Sequence, residues 1–395
     1  HSSHCHFYLV DHSWLPSLLR HLQMSLPEIQ IKAGDVVGNR YIVKKKLGEG
    51  ACGQVWLVNL KANEKLSYAM KVEPRMKKEE EVLKMEIFVL KKLQHSKYFC
   101  RFFLAGFSSN YTFCIMQLLG TEVTEMRRKL KDRKFSLPTT LRIGLQAVQA
   151  AEEMHTAGFI HRDLKPSNMA FGKVMTHVIF IFDFGLARQI FLPDKNGKLT
   201  LRPPRNKVSF RGTVRYCSLN VHQAKEQGRH DDLWSVLFTL VECLTGTLPW
   251  KGCSRKDAER IKRDTKEDKL FKGCPKSFGA FYKELEKCTY TSVPAYNSIR
   301  QALSTDFKTF NLKMTAPWEW EEKAAAAAGT GGGRKEPTII KDTKREADND
   351  PDNDTKKDVE VSGTIQSSDG TTDGDCDAEN TLDNIAEVEN EPKKK

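Results

Sequence analysis

One octet, His161-Arg162-Asp163-Leu164-Lys165-Pro166-Ser167-Asn168, followed fifteen positions later by Asp183-Phe184-Gly185, constrains this chain more than any other stretch. An Asp-x-x-x-x-Asn spacing suits a tight loop whose polar ends, Asp163 and Asn168, converge on one point, with a second carboxylate, Asp183, arriving from further along the chain. That set fits phosphoryl transfer. The chemistry needs a carboxylate beside the attacking hydroxyl, oxygen ligands for magnesium ions that bridge phosphates, and a cation to offset charge on the transferred group. Asp163, Lys165 and Asn168 are the candidate catalytic residues, and Asn168 and Asp183 the candidate metal ligands. A surface loop with scattered polar residues is the plainer reading, but it leaves eight matching positions and a correctly ordered Asp-Phe-Gly unexplained.

The partners of that octet lie upstream. Tyr41-Ile42-Val43 leads to Leu47-Gly48-Glu49-Gly50-Ala51-Cys52-Gly53-Gln54-Val55 and then Trp56-Leu57-Val58, which reads as strand, glycine-rich turn, strand. Alone, the pattern fits an ordinary hairpin turn or a dinucleotide loop; two strands rather than strand then helix argue against the dinucleotide loop. Gly48, Gly50 and Gly53, with Val55 just beyond, are candidate nucleotide contacts, because glycine lets backbone approach phosphates that a side chain would push away. A short apolar strand, Tyr68-Ala69-Met70-Lys71-Val72, places Lys71 eighteen positions after Gly53. Strand lysines ordinarily face solvent, but the order glycine turn, strand, lysine, helix makes Lys71 a phosphate ligand, with Ala69 beside it in the nucleotide set.

Residues 79–93 carry a helical apolar stripe of Val82, Leu83, Ile87, Leu90 and Leu93. Glu86, close to that stripe, is the candidate ion-pair partner of Lys71, since a carboxylate facing a buried strand needs a cation. Phe102–Phe107 and Tyr111–Met116 read as two further strands. Met116 is placed at the back of the nucleotide pocket, a position equally compatible with plain core packing, and the backbone near Gln117 and Leu118 is placed against the adenine.

Beyond the octet, Asp194-Lys195-Asn196-Gly197 is a turn signal and Arg202-Pro203-Pro204-Arg205 an extended stretch, both in a substrate-facing segment ending at Phe210–Tyr216. Pro138 opens a long helix before the octet, and Arg229 opens another that runs through Leu244; helical segments continue to about Leu303. The expected fold is α+β and bilobal. A small antiparallel sheet with one main helix forms an N-lobe over 35–116, a hinge occupies 117–120, and a larger, mostly helical C-lobe covers 121–320.

Charge divides the chain further. Residues 331–395 hold 10 Lys and Arg against 18 Asp and Glu, leaving 53 against 33 in residues 1–330. A basic body of this kind attracts anionic partners without choosing among them. The acidic stretch 321–395 has few large apolar residues to offset its ordering entropy and is expected to be disordered. Residues 1–34 are read as an extension. Residue 1 is His and the first methionine is Met24, so a fragment or a start near Met24 is expected. The histidines and Cys5 near the beginning have metal-ligand chemistry, yet such terminal tracts are more often disordered. Ten cysteines without a Cys-x-x-Cys pair suggest neither a zinc site nor a disulfide framework. No apolar run reaches membrane-spanning length and no secretory signal pattern opens the chain, so a reducing, cytoplasmic setting with nuclear access and no membrane partner is expected.

Taken in order, Gly48 to Val55, Lys71, Glu86, His161 to Asn168 and Asp183 to Gly185 resemble the eukaryotic protein kinases over roughly residues 36–320. Within them the chain is similar to the casein kinase 1 superfamily, above all its tau-tubulin kinase branch. The residues carrying that likeness are Val82–Glu86, Arg202–Asn206, Arg211–Tyr216, Gly228–Ser235 and Pro317–Glu321. Ser218-Leu219-Asn220 stands where most kinases have Ala-Pro-Glu, as in the casein kinase 1 group. The resemblance implies ATP and Mg2+ as cofactors, serine or threonine as acceptor through Lys165 and Thr213, and protein substrates that are acidic or already phosphorylated. Tubulin or a microtubule-associated protein is among them. It also implies that Arg215, with Arg211 nearby, binds a phosphate on substrate or activation segment, a structural salt bridge being the alternative for Arg215. Cys52 departs from the usual aromatic tip of the glycine turn, and the interval Asn168 to Asp183 is slightly short for the branch.

A scaffold that binds acidic partners without turnover is the competing class, although Lys71, Asp163 and Asp183, one of which such proteins commonly lose, are all present. Specific nucleic-acid binding has no aromatic-basic stacking pattern or recognised module behind it. A monomer is expected.

Overall fold

A computed structural model describes residues 29–50, 53–75, 82–321 and the backbone of 386–387. The chain divides into two compact units: residues up to Ile87 with Phe103–Gln117 and the last residues, and Phe88–Phe102 with the chain from Leu118 onward.

The first unit is a sheet of β1 (Val36–Val37), β2 (Tyr41–Gly50), β3 (Gly53–Leu60), β4 (Asn63–Pro74), β5 (Phe102–Phe107) and β6 (Tyr111–Gln117), in the order β1-β2-β3-β4-β6-β5. The β1–β2, β2–β3, β3–β4 and β4–β6 ladders are antiparallel. Alternation along the strands divides the side chains between two faces. Val43, Trp56, Val58, Met70, Val72, Phe113 and Ile115 make the core on one face. Each such side chain contributes on the order of 1.5–3 kcal/mol by leaving water. Val55, Ala69, Lys71 and Met116 fall on the opposite, half-buried face. Register ties them together: Val55 lies across from Lys71, and Ala69 across from Met116.

Helix α1 spans Val82–Lys92, and its predicted stripe of Leu83, Ile87, Leu90 with Leu93 is buried. Residues 79–81, the expected start of this helix, lie outside the described residues, as does Cys52. Residues 88–102, expected in the first lobe, instead belong to the second unit. Aromatic packing explains the difference: Phe88 meets Phe159 edge-on at 5.7 Å, and Phe99 lies 5.9 Å from Phe184 while bridging to Ile181.

The second unit is helical: α2 (Val123–Lys129), α3 (Leu137–Thr156), α4 (Leu219–His222), α5 (Arg229–Thr245), α6 (Arg255–Asp264), α7 (Glu267–Leu270), α8 (Lys276–Glu286) and α9 (Tyr296–Thr309). Three two-stranded ribbons punctuate it: β7 (Phe159–Ile160) with β10 (Arg188–Gln189), β8 (Met169–Phe171) with β9 (Ile179–Ile181), and β11 (Phe191–Pro193) with β12 (Leu199–Leu201). Helix α5 is apolar on nearly every face and buried along most of its length, as a central helix must be. Ser136 caps α3 by accepting from the Thr139 amide, and Pro138 fits its first turn.

Residues 317–321 belong to this unit. Glu319 accepts hydrogen bonds from the Ser136 amide (2.9 Å) and hydroxyl (3.0 Å). Trp318 donates to the Thr176 carbonyl at 2.6 Å beneath the Arg142 guanidinium, 3.6 Å from the ring. Of the remaining tail only Ala386–Glu387 (β13) is described, a two-residue strand parallel to β5; the other tail residues and the N-terminal extension before Ile29 lie outside the described residues. Among the described residues no helix is long and apolar enough to cross a membrane.

Candidate active site

In the first unit the glycine turn and Lys71 share one sheet face. Gly53 is the glycine whose absence of side chain is obligatory: at φ +152° a Cβ would sit 2.1 Å from the Val72 carbonyl oxygen. Gly48 and Gly50 have no neighbour within 4 Å of a Cβ, so their lack of side chains is not required by packing. The Lys71 ammonium donates to Glu86, as the sequence predicts, and lies 3.5 Å from Glu73 Oε1. Glu73 was not foreseen. It is two residues from Lys71, on the same strand face, and its other oxygen accepts from the Leu83 amide at 2.9 Å. One carboxylate therefore fixes the start of α1, the helix that carries Glu86, and approaches the lysine. Strand periodicity also assigns Leu57 and Cys114 to this face, Leu57 across from Ala69 and Cys114 across from Lys71.

In the second unit the octet forms the predicted tight loop. Asn168 Nδ2 donates to the Asp163 carbonyl at 2.9 Å and to its Oδ2 at 3.3 Å. Lys165 Nζ lies 2.7 Å from Asp163 Oδ2. The Thr213 hydroxyl donates to Asp163 Oδ1 at 2.7 Å and accepts from Lys165 at 3.0 Å, closing a three-membered polar ring. The Asp183 backbone has φ 68° and Arg162 φ 67°, both left-handed and sparsely populated for such residues. Phe184 is buried, 5.6 Å from the His161 ring, and anchors the strained Asp183 backbone. The amide of Phe182 donates to the Asn168 carbonyl at 3.1 Å, tying both candidate metal ligands into one backbone framework.

Asp232, in the first turn of α5, supports the loop from below. Its oxygens accept from the His161 amide (2.7 Å), the Arg162 amide (2.8 Å) and His155 Nε2 (2.9 Å), and His155 Nδ1 in turn meets the Tyr296 hydroxyl at 2.7 Å. Burial raises the Asp232 pKa, but the His155 hydrogen bond and the His161 contacts outweigh it and hold the carboxyl below its ordinary value. Sequence reading placed Asp232 only in a helix start; an acidic pair ahead of an apolar helix was the signal.

Arg215 corrects an expectation. The guanidinium is buried, 3.3 Å from the fully buried Glu242, which also accepts from the Tyr216 hydroxyl and lies 3.7 Å from Arg127. It is the structural ion pair, not a solvent-facing phosphate ligand. Arg211 is exposed, and beside it Arg162, Arg188 and Arg205 surround Glu226, with Arg205 donating to both its oxygens at 2.6 and 3.1 Å. Desolvation first, then repulsion from Arg188 and Arg211, pulls the Arg162 pKa to about 9.

In residue type and spacing the two sets match the expectation for phosphoryl transfer: a glycine-rich stretch and a paired lysine in one unit, a carboxylate loop in the other. The chain belongs to the protein kinase family, whose domain model matches residues 41–313. It is 38% identical over 300 residues to a probable serine/threonine-protein kinase of Dictyostelium discoideum, the match covering 75% of this chain and 59% of that protein. A provisionally named serine/threonine-protein kinase of Caenorhabditis elegans is 34% identical over 311 residues, 78% of this chain and 89% of its own. A Caenorhabditis elegans protein with a provisional casein kinase I name is 30% identical over 307 residues, covering 75% and 88%. The α+β kinase fold read from the motifs is thus the fold of the family.

Proposed function

We propose that the chain is an active serine/threonine kinase that transfers the γ-phosphate of ATP to protein hydroxyls. The observation that carries this reading is the Asp163–Lys165–Thr213 ring. Thr213 and Lys165 engage one oxygen each, so the carboxylate is oriented to accept a hydroxyl proton, and Lys165 stands ready to offset charge on the moving phosphoryl group. Lys71, held by Glu86, grips nucleotide phosphates, and Gly53 lets the backbone close over them. Gly48, Gly50, Val55, Ala69, Met116 and the backbone at Gln117 and Leu118 complete the nucleotide set. Asn168 and Asp183 offer one amide and one carboxylate oxygen, a hard donor set that suits Mg2+, which keeps waters and phosphate oxygens as its other ligands. Bound there, the metal would neutralise phosphate charge.

The finer reading is a casein-kinase-1-like enzyme of tau-tubulin type. It is supported by Ser218-Leu219-Asn220, by the provisional casein kinase I relative and by exposed Arg211, Arg255 and Lys256 near the substrate segment, which favour acidic or phosphorylated protein. Cytoskeletal proteins such as tubulin rest on the resemblance alone.

Radiolabelled Mg-ATP with casein tests the activity. The Asp163→Asn chain should lose about 10² to 10⁴ in turnover while still binding nucleotide. Undiminished transfer by that variant would remove Asp163 from the chemistry, and no transfer by the unaltered chain would favour the scaffold reading.

A further inference from the structure

Helix α6 is a solvated basic helix with one exception. Arg255, Lys256, Arg260 and Arg263 are exposed, whereas Lys262 is buried. Its Nζ donates to the Val214 and Cys217 carbonyls, both at 2.6 Å, and lies 3.2 Å from His222 Nε2 and 3.7 Å from Cys217 Sγ. The Phe238 and Trp250 rings stand 5.4 and 5.3 Å away. Among the described residues no carboxylate pairs with it. A buried lysine without a counter-ion is costly, and a methionine would fill the space more cheaply. What an ammonium adds is three donors, and here three acceptors meet them. The third is available only while His222 is neutral with its lone pair on Nε2. Burial, then Lys262 and Arg255, push the His222 pKa down to about 3, and its buried Nδ1 has no hydrogen-bond partner among the described residues.

The two carbonyls belong to the segment next to the catalytic ring. Trp250 Nε1 holds the Arg215 carbonyl between them at 2.7 Å. The Thr213 carbonyl accepts from the Tyr216 and Cys217 amides in a tight turn. Gly212, at φ +118°, passes so near the catalytic loop that a Cβ would lie 2.7 Å from the Arg162 carbonyl. Thr213 can reach Asp163 and Lys165 only if this turn keeps its shape.

We infer that Lys262 is a positioning residue for the protein substrate: its ammonium clamps the Val214 and Cys217 carbonyls and so holds the Thr213 turn against the catalytic loop. The geometry stands by itself, while the consequence for substrate rests on the kinase function proposed above. Among the described residues the contacts of Lys262 lie within its own unit, so its loss is expected to fall on protein binding rather than on ATP. Among the described residues the titratable groups facing it are Cys217 from the substrate segment and His222 from α4, with Arg255 of α6 acting on His222; Phe238 of α5 and Trp250 present aromatic rings. Burial, which outweighs Cys217, lowers the Lys262 pKa to about 8, so above that pH one of the three donors is given up.

The full chain carrying Lys262→Met is the test. Deuterium exchange at the Tyr216 and Cys217 amides should quicken about tenfold, and the KM for casein should rise about tenfold, with the KM for ATP unchanged, as loss of charge-assisted hydrogen bonds dictates. Unchanged exchange at those amides would overturn the inference. Because exchange needs no turnover, it decides the clamp even for a chain that transfers no phosphate, an outcome that would count against the kinase reading alone. Should the variant not fold, the unaltered chain still decides: its casein KM should climb between pH 7 and 9 while its ATP KM stays level. A casein KM flat across that range would overturn the clamp.

Discussion

A guanidinium set against a fully buried carboxylate has little to offer a ligand in solvent, and Arg215 is so placed. Glu242 neutralises Arg215 and approaches Arg127, so removing its charge strands two buried cations. Glu242→Gln should therefore lower unfolding stability by about 3–5 kcal/mol, read by urea titration, and Arg215→Met should cost less than Glu242→Gln. Gly53→Ala tests the other extreme of side-chain size: a 2.1 Å collision with a backbone oxygen forces the turn to shift. A several-fold rise in ATP KM with casein KM unchanged is the expected readout. His222 supplies a pH dependence with a definite sign. Its folded pKa, about 3, lies below the ordinary value of 6.5, so its share of stability is complete above pH 6.5 and is lost as pH falls towards 3. Between pH 6.5 and 5, before most carboxylates protonate, the thermal midpoint should fall for the unaltered chain and less for His222→Gln.

At the scale of elements, strands β2 to β6 and helices α1, α3 and α5 were legible because their apolar spacing follows the local period, 2 or 3.6 residues. So was the convergence of Asp163, Lys165 and Asn168, since a short loop imposes its own spacing. Partners joined only by the fold were not legible. Glu242 lies 27 residues beyond Arg215, in the mainly apolar part of a helix, and nothing local links the two. Tyr296 stands 141 positions from His155, yet its hydroxyl completes the relay from α9 through α3 to Asp232 and the catalytic loop. Burial raises the Tyr296 pKa, so the phenol keeps its proton beside His155 Nδ1. Tyr296→Phe should reduce kcat several-fold with both KM values held, because the loop loses order and no substrate contact is touched. Equal kcat in the two chains would make Tyr296 ordinary packing.

Across the whole molecule, electrostatics and sequence order act together. The basic excess of residues 1–330 should steer acidic protein to the substrate segment, so casein kcat/KM is expected to fall about tenfold between 50 and 500 mM salt. A neutral peptide should show little change. The Glu319 and Trp318 anchors carry a separate meaning for biosynthesis. Helix α3 is translated early, yet the group that satisfies its Ser136 amide arrives 183 residues later. During synthesis this amide has only water as its partner until Pro317–Glu321 has emerged, so the helical unit is expected to gain its full stability last. Arrested chains ending before and after that stretch, compared by pulse proteolysis, should differ sharply in resistance; equal resistance would show that the unit closes without its last segment.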